Sequence, residues 1–361
     1  MRERLRFLDS RMILPMILMV IMGMLTVYSA GRGTSQSSLW LKQSVWNLLG
    51  FLALAAVAAV NPLRTFRSAL PLYILGILSL AAVLVAGHRI GGAQRWLVIG
   101  RLTWQPSELM KWLTLLFVAH RLGARPLRDI TAWDLIGAST LVLFPMLLVL
   151  KQPDLGMAIS FLPILLLIPL LKGLKARWVL AAVLGVSLLG VFSWQKVLKP
   201  YQKQRVMTFL DPGADLQGKG YQINQSRIAI GSGGLFGQGF TSGSQTQLNF
   251  LPVKTTDFVF SVWAEERGFL GVLLALGLFG AVISRILDTA RVAKTAAETY
   301  FCVGAAGIIT LHLVVNVGMV VGLLPNKGIV LPFFSAGGSS TLSYFLGLGV
   351  VMAVRYRAKT K

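Results

Sequence analysis

The sequence predicts an all-α, polytopic membrane fold of ten transmembrane helices with one long extracytoplasmic loop. Three observations carry that reading. Only 13% of its 361 residues are charged and 55% are hydrophobic, whereas a soluble domain carries about a quarter charged residues. Mean hydropathy is +0.69. Apolar windows at 12–30, 135–150 and 156–171 approach or reach the roughly 17–25 residues that cross a hydrocarbon core.

In chain order the spans fall at about 12–30, 40–60, 69–86, 106–122, 134–150, 156–171, 178–194, 258–283, 299–322 and 341–354. The first has Val27-Tyr28-Ser29 at its end, which looks like a cleavage site. Its apolar run of about 19 residues exceeds the roughly 7–15 of a signal peptide, so an uncleaved anchor is expected. Pro106 suits the first position of the fourth helix. Between the seventh and eighth spans lies the loop 195–257, rich in Gly, Gln and Ser. Its stretches 201–210 and 221–230 are amphipathic enough to lie along the membrane interface, with a plain flexible loop as the alternative. The whole chain, 1–361, is read as one membrane domain.

An even number of spans puts both termini on one side. Nineteen of the 35 Lys and Arg residues fall on the segments of that side, and seven more sit in the long loop, which the positive-inside rule discounts. Both termini are therefore expected in the cytoplasm. A net charge of +22 would suggest nucleic acid in a soluble protein. Here cytoplasmic loops account for much of it, and no nucleic-acid partner is expected. The single cysteine, Cys302, excludes an intramolecular disulfide and reads as a packed small residue. His88, His120 and His312 have no metal-ligand spacing.

The outward side is basic as well, with Arg89, Arg95, Arg101, Lys151, Lys199, Lys203, Arg205, Lys219, Arg227, Lys254 and Lys327. Topology does not require this. It suggests an anionic ligand approached from outside, or loops drawn to acidic head groups. The run from Gly213 to Gly220 nearly fits a phosphate-binding loop, but Gly220 replaces the Ser or Thr that would hold magnesium and no strand precedes it. The glycines between Gly231 and Gly237 lack dinucleotide spacing and fit turns or close backbone approach better.

Carboxylates at membrane depth are costly and mark function by default. Glu108 and Lys111 stand at i, i+3 and read as a structural ion pair. Asp154 follows Lys151-Gln152-Pro153, placed either to cap the sixth helix or to touch substrate. Glu265, Glu266 and Arg267 suggest an internal ion network. Asp257 stands at the outer boundary before Phe258-Val259-Phe260, with no basic residue at i+3 or i+4. A carboxylate at the edge of a low-dielectric medium holds its proton more tightly, which suits a general base. The alternative is an N-cap for the eighth helix.

Several ordered blocks carry a resemblance. They are Gly91-Gly92-Ala93-Gln94-Arg95-Trp96, Gln105-Pro106-Ser107-Glu108 with Lys111, and Lys151-Gln152-Pro153-Asp154-Leu155-Gly156. They continue with Phe209-Leu210-Asp211-Pro212, Gln225-Ser226 with Ala229-Ile230-Gly231-Ser232-Gly233-Gly234, and Thr256-Asp257-Phe258 with Ala264-Glu265-Glu266. Asn316-Val317-Gly318-Met319 and Gly337-Gly338-Ser339-Ser340 close the series. Over essentially its whole length the chain resembles the SEDS proteins (shape, elongation, division, sporulation), which include RodA, FtsW and SpoVE. Gly243-Ser244-Gln245 through Phe250-Leu251-Pro252 look more like the RodA branch.

The resemblance implies a peptidoglycan glycosyltransferase of the bacterial cytoplasmic membrane, acting in cell elongation. Such proteins polymerise lipid II, a disaccharide–peptide on an undecaprenyl pyrophosphate carrier, at the outer leaflet. They work with a class B penicillin-binding protein, a transpeptidase. The family's essential carboxylate maps onto Asp257. One departure stands out: the family's Leu-Pro-Glu reads Leu251-Pro252-Val253 here, so a second carboxylate is missing.

On this reading Arg95, Lys151, Arg205, Arg227 and Lys327, with Asp154, are the candidate substrate-binding residues. Lys327 is preferred among loop residues because it lies between two family blocks. A divalent cation, Mg²⁺ or Mn²⁺, fits a pyrophosphate chemically, although the sequence shows no dedicated cage. No organic cofactor is expected. The rival readings are a lipid II flippase, for which ten spans and Pro145, Pro163 and Pro169 inside helices are equally expected, and a non-enzymatic scaffold for the transpeptidase.

Overall fold

A computed structural model describes residues 9–90, 93–100, 102–125, 130–171, 219–325 and 328–360. Helices dominate them: α1 Ser10–Gly31, α2 Leu39–Ala58, α3 Pro62–Arg67, α4 Ala69–Ala86, α5 Pro106–Gly123, α6 Ala132–Lys151, α7 Leu155–Ile159, α8 Leu162–Leu171, α9 Lys219–Ser232, α10 Ser244–Gln247, α11 Val259–Val292, α12 Ala296–Val320 and α13 Gly338–Lys359. Six of these (α1, α2, α4, α6, α11 and α12) are long and apolar enough to cross a membrane. Two further expected spans coincide with α5 and α13. The expected span at 156–171 is broken into α7 and α8, and that at 178–194 lies outside the described residues.

The core sits where α5, α12 and α13 meet. Trp112 of α5 packs edge-on to Tyr344 of α13, ring centroids 5.7 Å apart, and reaches Phe301 of α12 at 6.5 Å. Close approach is what allows this: a Cβ on Gly347 would lie 2.3 Å from the Trp112 ring. Small residues at helix crossings serve membrane bundles in this way, because lipid supplies no hydrophobic drive between helices. On the periphery, Leu48 and Leu52 of α2, Leu75 and Leu78 of α4 and Leu147 of α6 are exposed, as lipid-facing residues should be.

A three-stranded antiparallel meander, β1 His88–Ile90, β2 Ala93–Ile99 and β3 Leu102–Trp104, joins α4 to α5. Helical periodicity has no sensitivity to such short strands, and the sequence reading places only a connection there. The meander carries Arg95 to the connection between α6 and α7, where it meets residues 152–154.

α11 is interrupted at Gly268 (φ 64°, ψ −165°), a conformation for which glycine is suited. The break would orphan carbonyls on one side and N–H groups on the other. The 233–239 loop satisfies both: Phe269 N and Leu270 N donate to Gly234 O (2.9 Å) and Leu235 O (3.2 Å), while Gln238 N and Gly239 N donate to Glu265 O (2.9 Å) and Glu266 O (3.1 Å). A Cβ on Gly233 or Gly237 would sit 2.2 Å from a carbonyl of α11. Close backbone approach is thus the role of these glycines. The described end of the long loop is folded, not loose: α9 packs on α11, with Ser226 Oγ 2.7 Å from Ser261 Oγ and donating to Val320 O at 2.6 Å. The 201–210 stretch lies outside the described residues.

Candidate active site

Asp154 shows how local sequence builds the site. α6 ends at Lys151, and Asp154 caps α7 by accepting from Met157 N at 3.0 Å through Oδ1. Its other oxygen accepts from Gln105 Nε2 at 3.1 Å and lies 3.3 Å from Arg95 Nη1. The capping role weighed from sequence is thus present, and the same side chain lines the cavity described below. Arg95 is locked further, donating to Gln152 O (3.3 Å) and Pro153 O (2.5 Å). Burial pushes the Asp154 carboxyl above the ordinary carboxylate range, and the Arg95 charge pulls it partly back.

Glu108 and Lys111 form the expected pair at 2.6 Å, both buried. Sequence reasoning missed what else Lys111 meets. Its Nζ lies 3.4 Å from His312 Nε2 and 3.3 Å from Tyr344 Oη, and 4.5 Å from the Tyr344 ring centre. His312 Nδ1 lies 3.2 Å from Val330 O. A donor at Nδ1 leaves Nε2 to accept from the ammonium, so all the heteroatoms are used. His312 and Tyr344 follow Lys111 by 201 and 233 residues, and no local pattern could have joined them.

Asp257 is held through its backbone. Asn316 Nδ2 donates to Asp257 O (3.1 Å) and to Ile329 O (2.8 Å). Ser335 Oγ donates to Thr256 O at 2.6 Å, and Ala336 N to Thr255 O at 3.0 Å. The 328–337 segment is thereby laced to 255–257. Phe258 stands at the N-cap position of α11, directly after Asp257. A Cβ at Gly328 (φ +62°) would come 3.3 Å from Asp257 Oδ2, and glycine there leaves the carboxylate room.

Arg95, Glu108, Asp154 and Asp257 line one cavity of about 400 Å³, together with Gln105, Ser339 and Ser340. Four residues singled out from sequence thus converge. Lys151 is exposed at the end of α6 and is not among the lining residues. Arg227 is exposed on α9, beside Gly322. Arg205 and Lys327 lie outside the described residues, although Gly328, next to Lys327, lines the cavity.

Glu265, Glu266 and Arg267 are not the ion network expected. Glu265 accepts from Gln245 N (2.7 Å), Thr246 N (3.1 Å) and Thr246 Oγ1 (2.6 Å). Glu266 accepts from Ser29 Oγ and from Thr241 N at 3.2 Å. The Arg267 guanidinium lies over Phe240 and Trp263, 5.4 and 5.7 Å from the ring centres. Glu265 thus satisfies the first free N–H groups of the short helix α10, and Glu266 one N–H of the loop before it.

The donor set does not fit a protein-built cage for a divalent cation. Asp154 is spent on Arg95, Gln105 and Met157 N, and Glu108 on Lys111. Among the described residues no three His, Cys, Asp or Glu side chains gather to hold a metal.

Against known proteins, the family model of the FtsW, RodA and SpoVE cell cycle proteins matches residues 7–360. The chain is 38% identical to the peptidoglycan glycosyltransferase MrdB of Escherichia coli K12, over 98% of this chain and 94% of that one. It is 30% identical to the peptidoglycan glycosyltransferase RodA of Treponema pallidum, over 97% and 98%. A chain from a solved peptidoglycan synthase complex, in which polymerization and crosslinking are structurally coordinated, superposes with a TM-score of 0.84 at 34% identity, covering 98% and 99%. The crystal structure of Thermus thermophilus rod shape determining protein RodA gives 0.73 at 31%, covering 98% of each chain. These names go with the polymerase reading and not with the transporter. Matched from end to end by relatives that share its fold, the chain belongs to the SEDS family, and it is a multi-pass membrane peptidoglycan glycosyltransferase.

Proposed function

We propose that this glycosyltransferase polymerises lipid II with Asp257 as its general base. Asp257 takes the proton from the 4-hydroxyl of the acceptor's GlcNAc as that oxygen bonds to the anomeric carbon of the donor's MurNAc. The bond from that carbon to the pyrophosphate oxygen breaks, and undecaprenyl pyrophosphate leaves with the electron pair. The observation that carries this reading is the cavity itself. Asp257 shares it with Asp154 and Glu108, whose charges are matched by Arg95 and Lys111.

A negative leaving group needs preorganised positive charge or donors. Arg95 stands in the cavity, and Lys327, outside the described residues, is kept as the preferred further cation for the pyrophosphate. Lys151, Arg205 and Arg227 are assigned to the path of the anionic head group outside it. A divalent cation, Mg²⁺ or Mn²⁺, belongs on the substrate's phosphates in this reading, since Asp154 and Glu108 are committed. The cavity faces outward, both termini face the cytoplasm, and a class B penicillin-binding protein crosslinks the strand during elongation.

The test is purified protein, with and without that partner, given labelled lipid II. A glycan ladder lost in Asp257→Asn supports the proposal. Absence of a ladder, with lipid translocation in sealed vesicles that survives the substitution, would overturn it in favour of a flippase. Cysteines placed at the exposed positions 151 and 360 should react with an impermeant reagent from opposite sides; labelling of both from one side would overturn the orientation argument.

A further inference from the structure

We infer that the N-terminus of α13, with the Ser340 hydroxyl, is the subsite for the pyrophosphate of a lipid-linked substrate. This rests on the glycosyltransferase reading above and names the part of the cavity that receives the leaving group.

α13 is 22 residues long and begins at Gly338, with Gly337 as a cap residue that has no side chain to offer. Gly337 N donates to Gln43 Oε1 at 3.0 Å, and Thr341 N closes the first helical bond to Gly337 O at 2.9 Å. Between them, the N–H groups of Gly338, Ser339 and Ser340 have no hydrogen-bond acceptor among the described residues. A helix start normally satisfies these donors with Ser, Thr, Asp or Asn, and here the end opens into the cavity that Gly337, Ser339 and Ser340 line. Free N–H groups and the positive end of the helix dipole together attract phosphate.

The second observation is independent of the helix end. Ser340 is only 7% exposed, lines the cavity, and its hydroxyl has no partner among the described residues. Its neighbour Ser339 is used structurally, accepting from Gln105 N at 3.0 Å and donating to Thr103 O at 3.3 Å. Ser343 likewise donates to Ser340 O at 2.8 Å. The residue is packed in place while its hydroxyl stays open to the cavity, where an acceptor on a ligand can reach it.

The end is also rigidly aimed. Gln43 donates to Thr341 Oγ1 at 2.8 Å while accepting from Gly337 N. Gly338 fits against Trp46, whose ring a Cβ there would overlap at 2.3 Å. Arg95 on the same cavity supplies positive charge. The two carboxylates nearest the bundle core, Asp154 and Glu108, are offset by Arg95 and Lys111. Asp257, the proposed base, lines the same cavity.

The experiment uses the full chain in nanodiscs and competition against a fluorescent undecaprenyl pyrophosphate. Ser340→Ala removes one donor to a charged acceptor and should weaken binding about tenfold, with a melting temperature equal to or above wild type. Gly337→Asp places a carboxylate where the phosphate would sit and caps the helix itself. It should weaken binding more than tenfold while keeping or raising the melting temperature. Inorganic pyrophosphate should compete more weakly than the lipid-linked form, and phosphatidylglycerol should not compete.

Wild-type affinity in both variants, or competition by phosphatidylglycerol as strong as that of undecaprenyl pyrophosphate, would overturn the assignment. A ladder that still depends on Asp257 would then leave the polymerase reading intact. A binding loss in Ser340→Ala without any Asp257-dependent ladder supports the anion site and removes Asp257 as base.

Discussion

Asp257 and the pair Glu265 and Glu266 lie within one stretch of chain, Asp257 just before α11 and the glutamates inside it, and they sit in different surroundings. Glu265 is fully buried and accepts three hydrogen bonds from the 245–246 turn. Glu266 accepts from Ser29 and Thr241. Asp257 is only partly buried and faces a cavity, its position fixed by bonds to its backbone from Asn316 and to its neighbours from Ser335 and Ala336. The contrast separates two functions of a costly buried carboxylate. The glutamates organise protein donors, whereas Asp257 is anchored by its main chain at the wall of the cavity, where the proposed chemistry needs a base.

The largest effect should come from breaking the working member. Asp257→Asn keeps shape and removes basicity, so polymerisation should fall by about 100-fold or more with the melting temperature close to wild type. Gel ladders and a thermal-shift assay read both quantities. A large loss of stability would put Asp257 in the same class as the glutamates.

Glu265→Ala should do the reverse. It leaves three donors of a buried turn unsatisfied, a change that costs on the order of 3 kcal/mol. The protein should melt lower, and the remaining folded fraction should keep the wild-type rate per molecule. Normal stability with lost turnover would move Glu265 into the chemistry.

These two residues also mark how far the sequence could be read. Membrane class and most helices follow from apolar windows, because hydropathy integrates over many residues and tolerates local error. Asp257 was legible as a boundary carboxylate, and Arg95, Glu108 and Asp154 as members of ordered blocks. Contacts made across the bundle were not legible. His312 meets Lys111, and Ser29 meets Glu266, only because helices distant in sequence cross. The split of α11 was hidden too, since Gly268 sits in an apolar run whose pattern is the same whether the helix continues or breaks. Three of the glutamates' partners are backbone N–H groups, which no sequence pattern advertises.

Asp154 sharpens the comparison at an intermediate scale, since it caps a helix and lines the cavity at once. Burial raises its carboxyl, against the pull of Arg95, so the folded protein takes up this proton more readily than the unfolded chain. Ionised Asp154 therefore opposes folding above its folded pKa, and that opposition fades as pH falls through the folded value toward the unfolded one. Wild type should gain stability relative to Asp154→Asn as pH drops from 7 to 4, in melting curves recorded side by side. A relative loss over that window would mean that Arg95 outweighs burial.

The smallest effect is expected at the position where the family's second carboxylate is missing. Val253 is 48% exposed and adopts φ +52°, a region that β-branched residues rarely tolerate. Strain of this kind costs about 1–3 kcal/mol. Next to it, Lys254 bonds Thr246 O at 2.6 Å and Asn249 Oδ1 at 2.7 Å, which ties the turn to the one Glu265 caps. Val253→Asn suits a left-handed backbone and should raise stability by about 1 kcal/mol without changing the rate. Val253→Glu restores the family's carboxylate without curing the strain. If Asp257 works alone on its side of the cavity, turnover should stay within about threefold of wild type, a difference under 1 kcal/mol in the barrier. A gain of tenfold or more would show that the site uses two carboxylates when it has them, and that Asp257 here operates below the family's full arrangement.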